Sequence, residues 1–311
     1  MQTSFHWKDM DKAARGASVA MGNFDGLHLG HRSVIDLARG HGAPLGIITF
    51  EPHPREYFAP DAPPFRLMNR EARAHRLEKF GVAQLYELPF DAELAAMTPE
   101  QFVNDVLADG LGVVHVAVGG DFRFGKGRAA GTAELIDLCS SRGIEVTVAP
   151  LLHHAGVEIS STAIRNALAE GRPQDAKAML GHLHRIEGEV IHGQKQGRVL
   201  GFPTANMAVD GLHLPKLGVY AVKCDVLSGP HAGSYVGAAN LGISPMFEGR
   251  KPSLETYLFD FGGDIYGTHI SVALVEFLRP ELKLSNLDAL IDQMQVDCTR
   301  AREILTGVDY A

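Results

Sequence analysis

Apolar positions fall into two patterns along the chain. Through the first half, short continuous apolar runs alternate with stretches of helical period. Runs at 19–21, 45–50, 82–88, 113–118 and 145–149 read as strands, and 32–39, 71–80, 100–107 and 132–141 as helices. Strands alternating with helices predict βα units and a parallel sheet covered on both faces. After a helix at 175–180 the pattern changes. Short runs at 187–192, 218–226, 235–239, 254–259 and 270–277, punctuated by Gly and Pro, predict a small β-barrel. Helical period returns only at 286–305, where Leu287, Leu290, Ile291 and Met294 mark one face. The expected fold is an α/β N-terminal domain with a Rossmann-like parallel sheet over residues 1–182, then a small β-barrel domain with a terminal helix over 183–311.

Composition narrows the class. A chain of 311 residues exceeds what one core usually fills, and 45% hydrophobic with 21% charged residues excludes disorder. The formal charge of -8 predicts no nucleic-acid backbone and no anionic membrane as partner. The opening MQTSFHWKDM lacks the basic start and apolar run of a signal peptide, and no stretch has the roughly 18 apolar residues of a membrane helix. Cys139, Cys224 and Cys298 form no CxxC pair, which argues against a zinc site or disulfide framework and for the cytoplasm. Oligomeric state is not legible.

The candidate chemistry begins at Gly22, Asn23 and the segment DGLHLGH over 25–31, between the first strand and first helix. In open α/β sheets ligands bind beyond the carboxyl ends of strands, and a helix N-terminus there suits phosphate. His28 and His31 can donate to phosphate oxygens and stabilise charge as a bond to pyrophosphate breaks. Two histidines three apart could also bind metal, but no third ligand is evident. Ser160, Ser161, Thr162 and Arg165 open a later helix; one serine is expected as its N-cap, and the hydroxyls with Arg165 also suit phosphate. The segment GGDFRFGKG over 119–127 imitates a Walker A loop and a dinucleotide fingerprint. It fits neither, because Gly127 replaces the Ser/Thr and no strand precedes Gly125. The aromatic segment 50–58 is expected to leave its strand as a proline-set loop. With Phe122 and Phe124 it would either close the core or wall a flat ring.

In the barrel half, Gly193, Lys195 and Arg198 lie in a glycine-rich stretch suited to polyphosphate. Thr204 and Asn206, two apart on an extended chain, face one side and offer the hard oxygens Mg²⁺ prefers. Glu255, an acid inside an apolar strand, is a candidate general base or a solvent-facing side chain. Arg279, at the end of the last strand, is a candidate ligand contact or a surface residue.

Taken together, GNFDGLHLGH, FEPHPREYF, GGDFRFG, ISSTAIR, HGQKQGRVLGFPTAN, LPKLGVYAV and LETYLFDFGGDIYG run in order over nearly the whole chain. The sequence thereby resembles the bacterial bifunctional riboflavin kinase/FMN adenylyltransferases, also called FAD synthetases. The resemblance implies a nucleotidyltransferase domain that joins AMP from ATP to FMN, and a kinase domain that makes FMN from riboflavin. It implies that Asn23, His28, His31, Ser161, Thr162 and Arg165 handle ATP, and that Phe58, Asp121 and Phe124 lie near flavin or the reacting phosphates. Thr204 and Asn206 would hold Mg²⁺ with ATP, and Glu255 would activate the ribityl hydroxyl. The chain departs from the family pattern at Gly120, usually acidic, at Pro245-Met246, usually Pro-Thr, and at Tyr257, often His. Other readings are one working domain beside an inactive one, a flavin-binding regulator without turnover, or another nucleotidyltransferase; the barrel half speaks against the last.

Overall fold

The computed structural model describes residues 1–8, 10–192, 201–243, 251–282 and 286–306. The chain divides into two compact units, residues 1–63 with 73–159, and residues 64–72 with 160–311.

The first unit is built on a six-stranded parallel sheet. Its strands are β1 (Gln2–Ser4), β2 (Ser18–Met21), β3 (Leu45–Glu51), β4 (Gln84–Pro89), β5 (His115–Gly119) and β6 (Glu145–Ala149), in the order β1-β4-β3-β2-β5-β6. Helix α1 (Leu29–Leu37) follows β2 and buries Val34 and Ile35. After β3 come α2 (Pro54–Phe58) and α3 (Arg70–Lys79); after β4 come α4 (Ala92–Ala96) and α5 (Pro99–Gln101). Helix α6 (Thr132–Ser140) precedes β6, and a short hairpin, β7 (His153–His154) with β8 (Val157–Glu158), closes the unit. Val19, Met21, Ile48, Tyr86, Leu88, Val116 and Val118 alternate along four strands and share one core with Phe102, Val106, Leu107, Leu135 and Cys139.

Local chemistry explains where several elements differ from expectation. Helix α1 starts at Leu29, before the predicted 32, because the His28 ring accepts from the His31 N–H and caps it. The predicted loop at 50–58 contains α2, set by Pro54 at N1 and a His53/Glu56 capping box. The predicted helix at 100–107 is wound as a π-helix over Phe102–Gly110; it still buries Phe102, Val103, Val106 and Leu107, and periodicity alone cannot separate the two windings.

The second unit opens with α7 (Ser161–Ala169) and α8 (Pro173–Leu180). Its six-stranded antiparallel barrel comprises β9 (Arg185–Glu189), β10 (Thr204–Ala208), β11 (Gly218–Val226), β12 (Gly233–Ile243), β13 (Pro252–Leu258) and β14 (His269–Arg279), and α9 (Leu287–Leu305) follows. The order is β10-β13-β12-β11-β14-β9. An Ile191–Asn206 bridge joins the chain beyond β9 to β10 and nearly closes the barrel. Met207, Tyr220, Val222, Leu241, Leu254, Leu258, Val272 and Leu274 fill the interior. The other face of the sheet, with Val219, Ala221, Ala238, Ala273 and Val275, is covered by Cys298, Ala301 and Leu305 of α9.

Candidate active site

In the first unit the chain runs from β2 to β3 and β4 on one side, then returns to β5 and β6 on the other. The order therefore reverses at β2 and β5, the topological switch point where open α/β sheets bind ligands. The HxGH loop leaves β2 and the GGDF loop leaves β5. Phe24 and Leu27 hold positive φ of 53° and 46° without being glycine, so the first loop is strained as well as tight. Its entry is pinned by Gly22 N donating to Ile48 O at 3.1 Å and by Thr49 Oγ1 donating to Asn23 O at 3.3 Å.

His28 and His31 stack face to face, their ring centroids 3.6 Å apart and their planes at 17°. His28 Nδ1 accepts from His31 N at 3.2 Å, which leaves the proton of an uncharged His28 ring on Nε2. Burial, and secondarily the neighbouring His28, push the His31 imidazole well below its usual range, so it is uncharged at neutral pH. Its Nδ1 is buried and unpartnered. Gly30 leaves the stack uncrowded: a Cβ there would stand 3.1 Å from His28 Cε1 and Nδ1, and the ring would have to shift by a few tenths of an ångström.

An aromatic group gathers beyond β3 and β4. Phe90 meets Phe50, Tyr57 and Phe58 edge to face, and Phe58 is 67% exposed. Asp121 is exposed, whereas Phe124 is buried against Phe102 and beneath Phe122. Gly120 is not required sterically; the nearest atom to a Cβ there would be Ala149 O at 3.4 Å.

The second unit holds the other candidates. Ser160, rather than Ser161, caps α7, accepting from Ala163 N at 3.2 Å. Thr162 Oγ1 accepts from the Arg165 guanidinium at 3.0 Å. In the barrel, Asn206 pairs in register with Glu255 across β10 and β13, and Glu255 with Asn240 across β13 and β12. Directly opposed residues share a face, so these three form one row, on the face that also carries Tyr257 and α9. Burial, and then the Glu281 carboxylate, raise the Glu255 carboxyl above its usual range.

Thr204 and Asn206 line a cavity of about 150 Å³ with Thr256 and the turn Phe261–Tyr266. Asn206 Nδ2 donates to Thr204 O at 3.2 Å, while Asn206 Oδ1 and Thr256 Oγ1 are buried without partners. The orphaned Asn206 oxygen, on the face it shares with Thr204, marks a place for a donor or a cation, whereas Thr256 alternates to the face of Leu254 and Leu258. Among the described residues no group of three His, Cys, Asp or Glu could hold a metal, and the oxygens of Thr204 and Asn206 are hard donors. Sequence reading passed over Thr256 and Asn240 because Thr is ordinary in strands and only register brings Asn240 to Glu255.

Arg279 has partners that its sequence position did not reveal. Its Nε and NH2 donate to Asp297 of α9 at 2.7–3.0 Å, and its NH1 donates to Pro280 O at 2.9 Å. The guanidinium anchors α9 rather than standing free at the surface. Gly193, Lys195, Arg198 and Met246 lie outside the described residues.

Comparison with known proteins accounts for both units. The FAD synthetase family model matches residues 10–163 and the riboflavin kinase family model residues 180–305. The bifunctional riboflavin kinase/FMN adenylyltransferase of Escherichia coli strain K12 is 38% identical over 292 residues, covering 93% of this chain and 92% of that protein. The protein of the same description from Pseudomonas fluorescens is 38% identical over 296 residues, covering 93% of each. A crystal structure described as a macrolide-efflux protein from Streptococcus pneumoniae superposes with a TM-score of 0.82 at 28% identity, covering 99% of both chains. Among the described residues of this chain, no helix is long and apolar enough to cross a membrane. The chain belongs to the bifunctional riboflavin kinase/FMN adenylyltransferase family.

Proposed function

From that membership we propose that this enzyme phosphorylates riboflavin to FMN with ATP and then adenylylates FMN with a second ATP, giving FAD and pyrophosphate. The observation that supports the reading is that each unit has its own group of side chains suited to phosphate chemistry: the stacked His28/His31 pair at the switch point, and the Asn206–Glu255 row in the barrel. Residues 1–182 are assigned to adenylylation and 183–311 to the kinase.

In the kinase step Glu255 takes the proton of the terminal ribityl hydroxyl as its oxygen bonds to the γ-phosphorus and the bond to ADP breaks. A carboxyl raised by burial is a better base near neutral pH than an exposed one. Thr204 Oγ1 and the orphaned Asn206 Oδ1 fit Mg²⁺, which when bound would offset the charge of the ATP phosphates. Gly193, Lys195 and Arg198 are assigned to the polyphosphate.

In the adenylyl step an ionised FMN phosphate oxygen attacks the α-phosphorus and pyrophosphate leaves, so no general base is needed. His28, through its Nε2 proton, and His31 stabilise the charge that grows on the leaving oxygens. Negative charge arriving there would raise the His31 pKa and strengthen that donor. Gly22, Asn23, Ser161, Thr162 and Arg165 are assigned to ATP, and Phe58 and Asp121 to the flavin, with Phe124 buttressing Phe122 beneath it. The reactions are placed in the cytoplasm, where the buried free thiols of Cys139, Cys224 and Cys298 stay reduced.

The test is chromatographic. Purified enzyme with riboflavin, ATP and Mg²⁺ should yield FMN first and FAD after it. His28→Ala should abolish FAD formation and spare FMN formation; Glu255→Ala should do the reverse when FMN is supplied. Loss of both activities together in a folded variant overturns the two-site reading, and absence of turnover from either flavin favours a binding module.

A further inference from the structure

The connection between β10 and β11, residues 209–217, leaves the barrel sheet and lies along α7 and the segment 64–72. Leu212 pairs with Arg66 in a parallel bridge, and His213 N donates to Arg66 O at 2.8 Å. The His213 ring places Nε2 3.0 Å from the main-chain oxygen of Arg165. Farther along, Lys216 N donates to Leu168 O at 2.9 Å. A carbonyl can only accept, so the His213 proton is on Nε2. Arg165 is held from its other end as well. Its guanidinium donates to Phe65 O at 3.4 Å and lies over the Phe65 ring, 5.7 Å from the centroid. His213 thus bonds two neighbours at once: through its ring the backbone of Arg165, and through its N–H the residue next to Phe65. All of these residues belong to one compact unit.

We propose that His213, a residue of the kinase half, is a positioning residue for adenylylation, holding Arg165 where it meets the ATP phosphates. The proposal rests on the assignment of Arg165 to ATP. An arginine on a long side chain aids transfer only when its fork is held, and displacement by a fraction of an ångström weakens a charge-assisted contact. The barrel loop supplies that restraint across the boundary between the two activities. A lesion in the kinase half therefore damages the other reaction and leaves its own intact, because the hydrogen bonds of His213 go to Arg165 and Arg66 rather than to Thr204, Asn206 or Glu255.

The experiment measures both activities in the same preparations of His213→Ala, His213→Gln and Arg165→Ala. His213→Ala should raise the KM for ATP in FAD formation about tenfold, leaving the kinetics of FMN formation unchanged. His213→Gln keeps an N–H at comparable reach and should restore most of the loss. A general structural role would instead lower both activities and the Tm together, without rescue by Gln, and that outcome overturns the proposal. Impaired adenylylation in Arg165→Ala with normal adenylylation in His213→Ala overturns the proposal alone. Normal adenylylation in Arg165→Ala removes the assignment of Arg165 to ATP, and the proposal falls with it.

Discussion

The His28 ring lies flat on the His31 ring with centroids 3.6 Å apart, and Gly30, one of the two residues between them, has no side chain to crowd His28. A Cβ at position 30 would press on His28 at 3.1 Å. The crowding falls on a ring that also caps the helix, so the ring cannot yield without loosening its bond to His31 N.

Gly30→Ala is therefore expected to separate activity from stability. Alanine raises helix propensity by about 1 kcal/mol, which offsets the strain of moving His28 by a few tenths of an ångström. FAD formation should fall about tenfold or more while FMN formation and the Tm stay near those of the parent. Kinetics of both steps beside thermal unfolding check it.

Glu255 is expected to trade stability for chemistry. Its folded-state pKa is raised above the unfolded value, so stability present below the unfolded pKa, near 4.3, is lost as pH rises toward the folded pKa. Glu255→Gln should be more stable than the parent at pH 7, with the advantage gone below about pH 4 where both forms are neutral. Its FMN formation should fall by roughly 10²–10⁴-fold.

Glu281→Gln removes the like charge that contributes, after burial, to that raised pKa. The Glu255 carboxyl then ionises at lower pH, so the acid limb of the FMN-formation profile should move downward. Adenylylation profiles should not move. A pH-rate series for each reaction, with FMN supplied for the second, is the measurement.

Arg279 and Asp297 are expected to behave as a structural pair. Their side chains are 18% and 9% exposed, so removing either partner strands a largely desolvated charge. Arg279→Met or Asp297→Leu alone should cost about 3 kcal/mol in urea unfolding, and the double variant should recover much of it.

Asn206→Ala deletes a buried oxygen that has no partner together with one hydrogen bond to Thr204 O, so its cost to folding should be modest, about 1 kcal/mol. The Mg²⁺ concentration needed for half-maximal FMN formation should rise about tenfold, with FAD formation from FMN unaffected. Titrating Mg²⁺ at saturating ATP in each reaction is the check.

Much of this protein was legible residue by residue. Nearly every strand of the parallel sheet was marked by an apolar run, since a strand covered on both faces has no polar alternation to hide it. Five of the six barrel strands were marked by short runs between Gly and Pro, and α9 by its helical period; β10 was read only as extended chain at Thr204 and Asn206. Missed were β1 and the β7–β8 hairpin, too short and polar to show a period, and α4. The segment at 50–58 was read from its prolines as a loop, although Pro54 sits where a helix accepts it, at N1.

The candidate residues divide in the same way. His28, His31, Thr204, Asn206 and Glu255 could be chosen from the sequence because their residue types and spacings carry chemistry within a few positions. The partners of those residues could not. Asn240 meets Glu255, Arg279 meets Asp297 and His213 meets Arg165 only through strand register and the packing of segments far apart in the chain. The sequence alone determined the order of the elements, the fold class and the chemical groups on offer, because those follow from local periodicity and side-chain type. The tertiary structure decided which groups are buried, which are opposed and which are already committed, because desolvation and pairing depend on neighbours that no local spacing specifies.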